Sequence, residues 1–198
     1  MKSRNLLITV VLALSLGISQ LAFVCTAQNV ISQILTWLPT IEQAIVAILQ
    51  GVTVLQGTTV SAGDINTIQS YQTSTKVVLA DLTAEINAYQ AVPSADTLAK
   101  INAAYQSLAS QEAALLPALH IVDPSTQAKV EAGIGLVGVA INTVGALISE
   151  LNPPSAGKSK ATGYPGITVS HFKSDWNKTM KASVANASVQ AAFSHATL

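Results

Sequence analysis

Residues 64–92, DINTIQSYQTSTKVVLADLTAEINAYQAV, and residues 94–119, SADTLAKINAAYQSLASQEAALLPAL, stand on either side of Pro93. In the first stretch Ile65, Ile68, Leu79, Leu82, Ile86 and Tyr89 fall on one heptad-like stripe, with Gln72 and Thr75 as polar interruptions. This is the spacing of an amphipathic helix with a soft middle. The pattern stops at Val92, because proline disfavours helical geometry in the residue before it. Ser94 then reads as an N-cap, and Leu98, Ile101, Tyr105, Leu108, Leu115 and Leu119 draw a second stripe interrupted by Glu112. Helices joined by so short a connection pack antiparallel, so the pair predicts a helical hairpin.

Downstream, Asp123-Pro124 is a start signal, the Asp as N-cap and the Pro at the first helical position. The helix it opens runs to about Leu151 and is stopped by Asn152-Pro153-Pro154. Val137, Ile141, Val144, Ile148 and Leu151 line one side, and Gly135, Gly138, Asn142, Gly145 and Ser149 line another. A face of small residues lets another backbone come close, either inside a bundle or inside a membrane. Upstream, Asn29–Leu38 and Ile41–Leu55 carry apolar side chains at helical spacing around Pro39-Thr40, which predicts two short helices or one kinked helix. Gly57 to Gly63 reads as a turn. The fold class expected is therefore all-α, an up-and-down bundle of about four helices, near 35–40 Å long for helices of about 25 residues.

The chain's start has a different character. Lys2 and Arg4 precede an apolar run from Leu6 to Leu16, and Cys25 and Ala27 occupy the −3 and −1 positions of a cut before Gln28. These are the three regions of a secretory signal peptide. An uncleaved anchor is the competing reading, since Leu6 to Val24 is nearly long enough to span a bilayer. A lipoprotein site at Cys25 is a minor option, because Val24 rather than a small residue precedes the cysteine. A cut after Ala27 removes the single Cys, so the mature chain holds no thiol and is indifferent to oxidising surroundings.

Composition removes several classes of function. Only 10% of the 198 residues are charged and the formal net charge is zero, so the chain lacks the basic footprint of a nucleic-acid binder. One Cys excludes an internal disulfide framework and a multi-cysteine zinc site. The charge is divided all the same: residues 28–152 hold nine acids against three lysines, while Lys158, Lys160, Lys173, Lys178 and Lys181 face only Asp175 beyond Pro153. This basic tail begins with the loop SAGKSKATGYPG and regains helical character from Ser170 through Phe172, Trp176, Met180 and Val184, fading after that. Its apolar side is expected to dock on the acidic bundle and leave lysines to meet acids. The alternative is an anionic partner such as a membrane surface, with Lys158, Lys160, Lys173, Trp176, Lys178 and Lys181 as candidate interaction residues. The domain reading is thus a signal peptide at 1–27, a bundle at 28–152 and a basic tail at 153–198.

Motifs for chemistry fall short. Asn152-PPSA-Gly157-Lys158-Ser159 ends like a phosphate-binding loop, but Asn152 replaces the first Gly and neither a preceding strand nor a following helix is predicted. His171 with Asp175 gives one i,i+4 pair, two ligands at most and short of zinc's requirement. A helix-surface pair is the plain reading, and His120 reads as a helix C-terminal cap. No nucleophile elbow occurs, and Glu85 and Glu112 lie on different helices. Asn177-Lys178-Thr179 and Asn186-Ala187-Ser188 are glycosylation sequons. No catalytic residue, cofactor, metal or small-molecule substrate is expected. The function expected is that of an exported, non-enzymatic structural or interaction protein, periplasmic, in the cell envelope or secreted. The alternative is a membrane-associated or membrane-active helical protein, since Ala132–Ser149 and Gln43–Gly63 carry no charge.

Overall fold

A computed structural model describes residues 2–151 and 167–198, with side chains from residue 27 onward. Among the described residues the protein is all-helical in its regular elements: α1 (Lys2–Val54), α2 (Ala62–Ala91), α3 (Ala95–Ala118), α4 (Pro124–Leu151), α5 (Val169–Lys181) and α6 (Ala187–Ser194). The first four form the bundle, with α2 packed on α3, α1 on α4 and α2, and α3 on α4. The loop expected over 155–166, with Lys158 and Lys160, lies outside the described residues.

The local signals set the helix ends. Ser94 Oγ accepts from the Thr97 N–H at 3.1 Å, capping α3 as read. Asp123 Oδ2 accepts from the Thr126 N–H at 2.8 Å and so caps α4. Helix α2 starts two residues before Asp64, because Ser61 supplies the cap: its Oγ accepts from the Asp64 N–H at 3.0 Å and its hydroxyl donates to Asp64 Oδ2 at 2.6 Å. Gly57 makes the preceding turn possible, with φ of 75° and its N–H donating to Val60 O at 3.0 Å.

Both stripes of the hairpin face inward. Ile65, Ile68, Leu79, Leu82, Ile86 and Tyr89 are buried, as are Leu98, Ile101, Leu108 and Leu115 opposite them. Leu82→Ala and Leu108→Ala are each expected to cost about 2–5 kcal/mol, the range for truncating a closely packed core side chain. Lys76→Ala should cost less than about 1 kcal/mol, since its ammonium reaches Glu42 only at 4.0 Å across exposed surface. Urea melts of the three variants check the assigned faces.

The apolar side of α4 is buried throughout from Val137 to Leu151, and its small residues divide between two environments. Gly138 and Gly145 are buried, while Gly135, Asn142 and Ser149 are exposed. A Cβ at Gly145 would overlap the Tyr105 ring of α3, so the missing side chain is what lets α3 lie close. Gly138 and Gly145 thus serve packing inside the bundle, and α4 is also long and apolar enough to cross a membrane.

Of the two readings of the Pro39 region, two short helices do not form: α1 runs as one helix through the proline. Pro39 itself is exposed while Ile34, Trp37, Leu38 and Ile41 are buried around it, so packing of the inner side holds the helix together where proline leaves it one hydrogen bond short. One sequence expectation fails, beyond Val184, where helical character was expected to fade. Helix α6 forms there because Asn186 Oδ1 accepts from the Ser188 and Val189 N–H groups, at 3.0 and 3.4 Å, and because Val189 and Phe193 are fully buried. An eight-residue helix owes its stability to such tertiary packing rather than to propensity.

Candidate functional site

Helix α5 was expected to dock by its apolar side, and Phe172, Trp176 and Met180 do lie in the same core as the bundle helices. Trp37 of α1 meets Phe172 edge-on with ring centroids 5.4 Å apart. Trp176 is 0% exposed, and its Nε1–H donates to Ala196 O at 2.7 Å. The C-terminal residues are fastened beside it: Asn177 Nδ2 donates to Leu198 O at 3.1 Å, and the Leu198 N–H donates to Asn177 Oδ1 at 2.9 Å. Of the candidate interaction residues, Trp176 therefore belongs to the core. Lys178 and Lys181 are exposed on α5, and Lys173 is half-buried.

The described lysines of the tail make no ion pair with the bundle's acids. Among the described residues, none of Lys173, Lys178 and Lys181 lies within 4.0 Å of a carboxylate. The charged contact runs the other way. Lys129 of α4 is 3% exposed, and its Nζ donates to the carbonyls of Thr179, Met180 and Ala182 at 2.8, 2.9 and 2.6 Å. Thr179 O also accepts from the Ala182 N–H at 3.3 Å. An ammonium placed on the carbonyls at a helix C-terminus supplies donors that the helix lacks there and faces the negative end of the dipole. Burial pushes the Lys129 pKa down from its ordinary value. Nothing in the sequence pattern marks this lysine, because its partners are backbone atoms about fifty residues away.

The same end of the bundle holds a second buried polar junction. Asp64 accepts the Ser61 hydroxyl, and its Oδ1 accepts the His120 N–H at 2.7 Å, so α2's first turn is tied to the α3–α4 connection. His120 thus lies beyond the end of α3 at Ala118, and its backbone rather than its imidazole makes the tie. Burial raises the Asp64 pKa, but the hydrogen bonds from Ser61 and His120 outweigh it and hold the carboxyl below its ordinary value. Alongside, the Thr126 hydroxyl donates to Asp123 Oδ2 at 2.8 Å and lies 2.9 Å from Thr59 Oγ1.

Midway along the bundle, Glu112 of α3 lies over Gly138, where a Cβ would stand 2.8 Å from its Oε1. Burial pushes the Glu112 pKa up. Nearby, the buried Tyr71 hydroxyl has no partner in hydrogen-bonding geometry. Burial first, and the Glu112 charge in addition, push the Tyr71 phenol up to about 12 against a smaller opposing pull from Thr75.

The two carboxyls make opposite pH contributions. Asp64, with its folded pKa lowered, stabilises the fold above its unfolded pKa of about 3.9 and loses that contribution as pH falls through the folded value. Glu112, with its folded pKa raised, favours folding below its unfolded pKa of about 4.3, an effect lost as pH rises through the folded value. Asp64→Asn should therefore destabilise most at neutral pH and least near about pH 3. Glu112→Gln should stabilise slightly at pH 7 and lose that gain near about pH 4. Urea melts across pH 3–8 would read both signs, and a gain for Asp64→Asn at pH 7 would contradict the assignment.

Other sites offer less chemistry. His171 Nδ1 and Asp175 Oδ2 stand 3.4 Å apart as an exposed i,i+4 pair on α5. Among the described residues no group of three or more His, Cys, Asp or Glu is placed to hold a metal. One cavity of about 480 Å³ lies between α1 and α6, lined by Gln50, Gly51, Val54 and Ala191 among others. A second, of about 680 Å³, lies between α1, α4 and the start of α5, with Trp37, Thr143, Glu150 and Val169 in its wall.

Fold and geometry together define a helical bundle in which Asp64, Thr126 and Lys129, three of its buried polar groups, join helix ends. Comparison of the chain with protein-family models, curated proteins and solved structures gives no match.

Proposed function

We propose that this chain is an exported, non-enzymatic structural or interaction protein, acting through its outer surface in the periplasm, the cell envelope or the extracellular medium. The observation that carries this reading lies beside the proposed cut: among residues 27 onward, whose side chains are described, Gln28 and Asn29 are exposed and Val30 and Ile31 are the first closely buried side chains of α1. A cut before Gln28 therefore keeps every closely buried side chain among them and takes away the partly buried Ala27. The polar groups best placed for chemistry, Asp64 and Lys129, have their hydrogen bonds taken up by helix ends, which favours a structural role over catalysis. Lys173, Lys178 and Lys181 on α5, with Lys158 and Lys160 in the preceding loop sequence, are the proposed surface for a protein or an anionic membrane.

A second reading has its own support: α1 is one helix from Lys2 into the core, so an uncleaved start would be a membrane anchor attached rigidly to the bundle. Fractionation of the native host distinguishes the two. A soluble exported pool whose intact mass begins at or within a few residues of Gln28 is expected. Carbonate-resistant membrane retention with Met1 still present would favour the anchored form.

A further inference from the structure

The bond proposed for cleavage, Ala27–Gln28, lies inside α1 and at the rim of the bundle. Helix α1 is continuous from Lys2 to Val54, so the residues on both sides of the bond are helical. The Lys76–Glu42 pair registers α1 against the antiparallel α2. Fifteen residues back along α1 from Glu42 is Ala27, and fifteen residues on from Lys76 is Ala91, the last residue of α2. At 1.5 Å per residue on both helices, the bond is level with the end of α2.

A protease reads its substrate as an extended strand, using main-chain hydrogen bonds that a helix has already spent. Presenting Cys25 to Val30 in that form stretches the segment from about 1.5 to about 3.3 Å per residue. Val30 must then leave the core, where it is 4% exposed, and Ile31 beside it, at 2%, loses its helical support. A folded bundle therefore opposes the cut both by helical structure and by packing.

We infer that cleavage at Ala27–Gln28 is gated by folding: the bond is open to a membrane signal peptidase only before α1 docks, and a chain that folds first keeps residues 1–27. This rests on the reading of those residues as a signal peptide. In the reaction water adds across the amide, leaving a carboxyl on Ala27 and an amine on Gln28. One gene would then give two products, a released bundle and an anchored one, in proportions set by the race between folding and processing.

The test uses the full-length precursor, folded in detergent micelles and incubated with the host's purified signal peptidase, with intact mass as the readout. Ile41→Asp places a charge at a fully buried position of α1 and prevents the bundle from closing. Val30→Gly loosens only the first core turn, and circular dichroism would verify that the rest remains helical. The folded wild-type precursor is expected to be cut at least tenfold more slowly than Ile41→Asp, with Val30→Gly between them. Equal rates for all three would overturn the gating while leaving the signal peptide in place. No product starting at Gln28 from any of them would overturn the signal peptide reading and the gating with it.

Discussion

Trp176→Ala is expected to lower the stability of the bundle by about 3–5 kcal/mol, the range for deleting a fully buried aromatic side chain. The indole is fully buried in the shared core, tilted against Phe172 with centroids 6.0 Å apart, and its removal leaves a void there. It also leaves the Ala196 carbonyl without the donor it now has at 2.7 Å. Trp176→Phe separates the two effects, since it keeps most of the apolar volume and loses the N–H, at a cost of about 1 kcal/mol for the hydrogen bond plus a smaller cavity term. Urea denaturation followed by far-ultraviolet circular dichroism gives both numbers. A loss below about 1 kcal/mol for the alanine variant would mean that α5 and α6 are not part of the cooperative unit.

Lys129→Met should cost about 2–4 kcal/mol, although it removes a buried charge. Burial of the ammonium is unfavourable in itself, but three carbonyls converge on it, and while Thr179 O would keep the Ala182 N–H at 3.3 Å, those of Met180 and Ala182 would lose the ammonium with nothing put in its place. Hydrogen bonds to a charged group contribute about 1.5–3 kcal/mol each, so their combined loss outweighs the relief of desolvation. Lys129→Arg should recover only part of this, because a planar fork cannot meet three acceptors that a compact ammonium reaches from one point. Equilibrium unfolding decides the sign. Amide exchange in α5 should quicken more than in α2, and a uniform change would place the lysine's effect elsewhere.

The difference between these two predictions and the earlier leucine variants reflects what the chain displays locally. The stripes of α2 and α3, the Ser94 cap and the Asp123-Pro124 start were legible because each depends on residues within a turn or two. At Pro39 the sequence leaves a split and a single helix both open for the converse reason: the local rule against proline holds for an isolated helix, and burial of Ile34, Trp37 and Ile41 on the inner side decides for one helix. Helix α6 could not be found by periodicity, since eight residues give barely two turns and its anchor, Phe193, packs against Gly51 far back in the chain. The triad of Phe172, Trp176 and Met180 announced docking correctly, but among the described residues the expected pairing of tail lysines with bundle acids does not follow. Apolar burial gains from every contact, whereas an exposed ion pair contributes little and imposes no geometry.

The fastening of Leu198 by Asn177 bears on how the protein is produced. Asn177 heads the sequon Asn177-Lys178-Thr179, and the nitrogen that would carry a glycan is the one donating to the Leu198 carbonyl. A cell that attaches sugar there would leave that nitrogen one hydrogen and set a bulky group against the last residues, while Asn177 Oδ1 could still accept from the Leu198 N–H. Material from a glycosylating host and material from a non-glycosylating host would then differ at one end, and a melting curve measured on one would need repeating on the other.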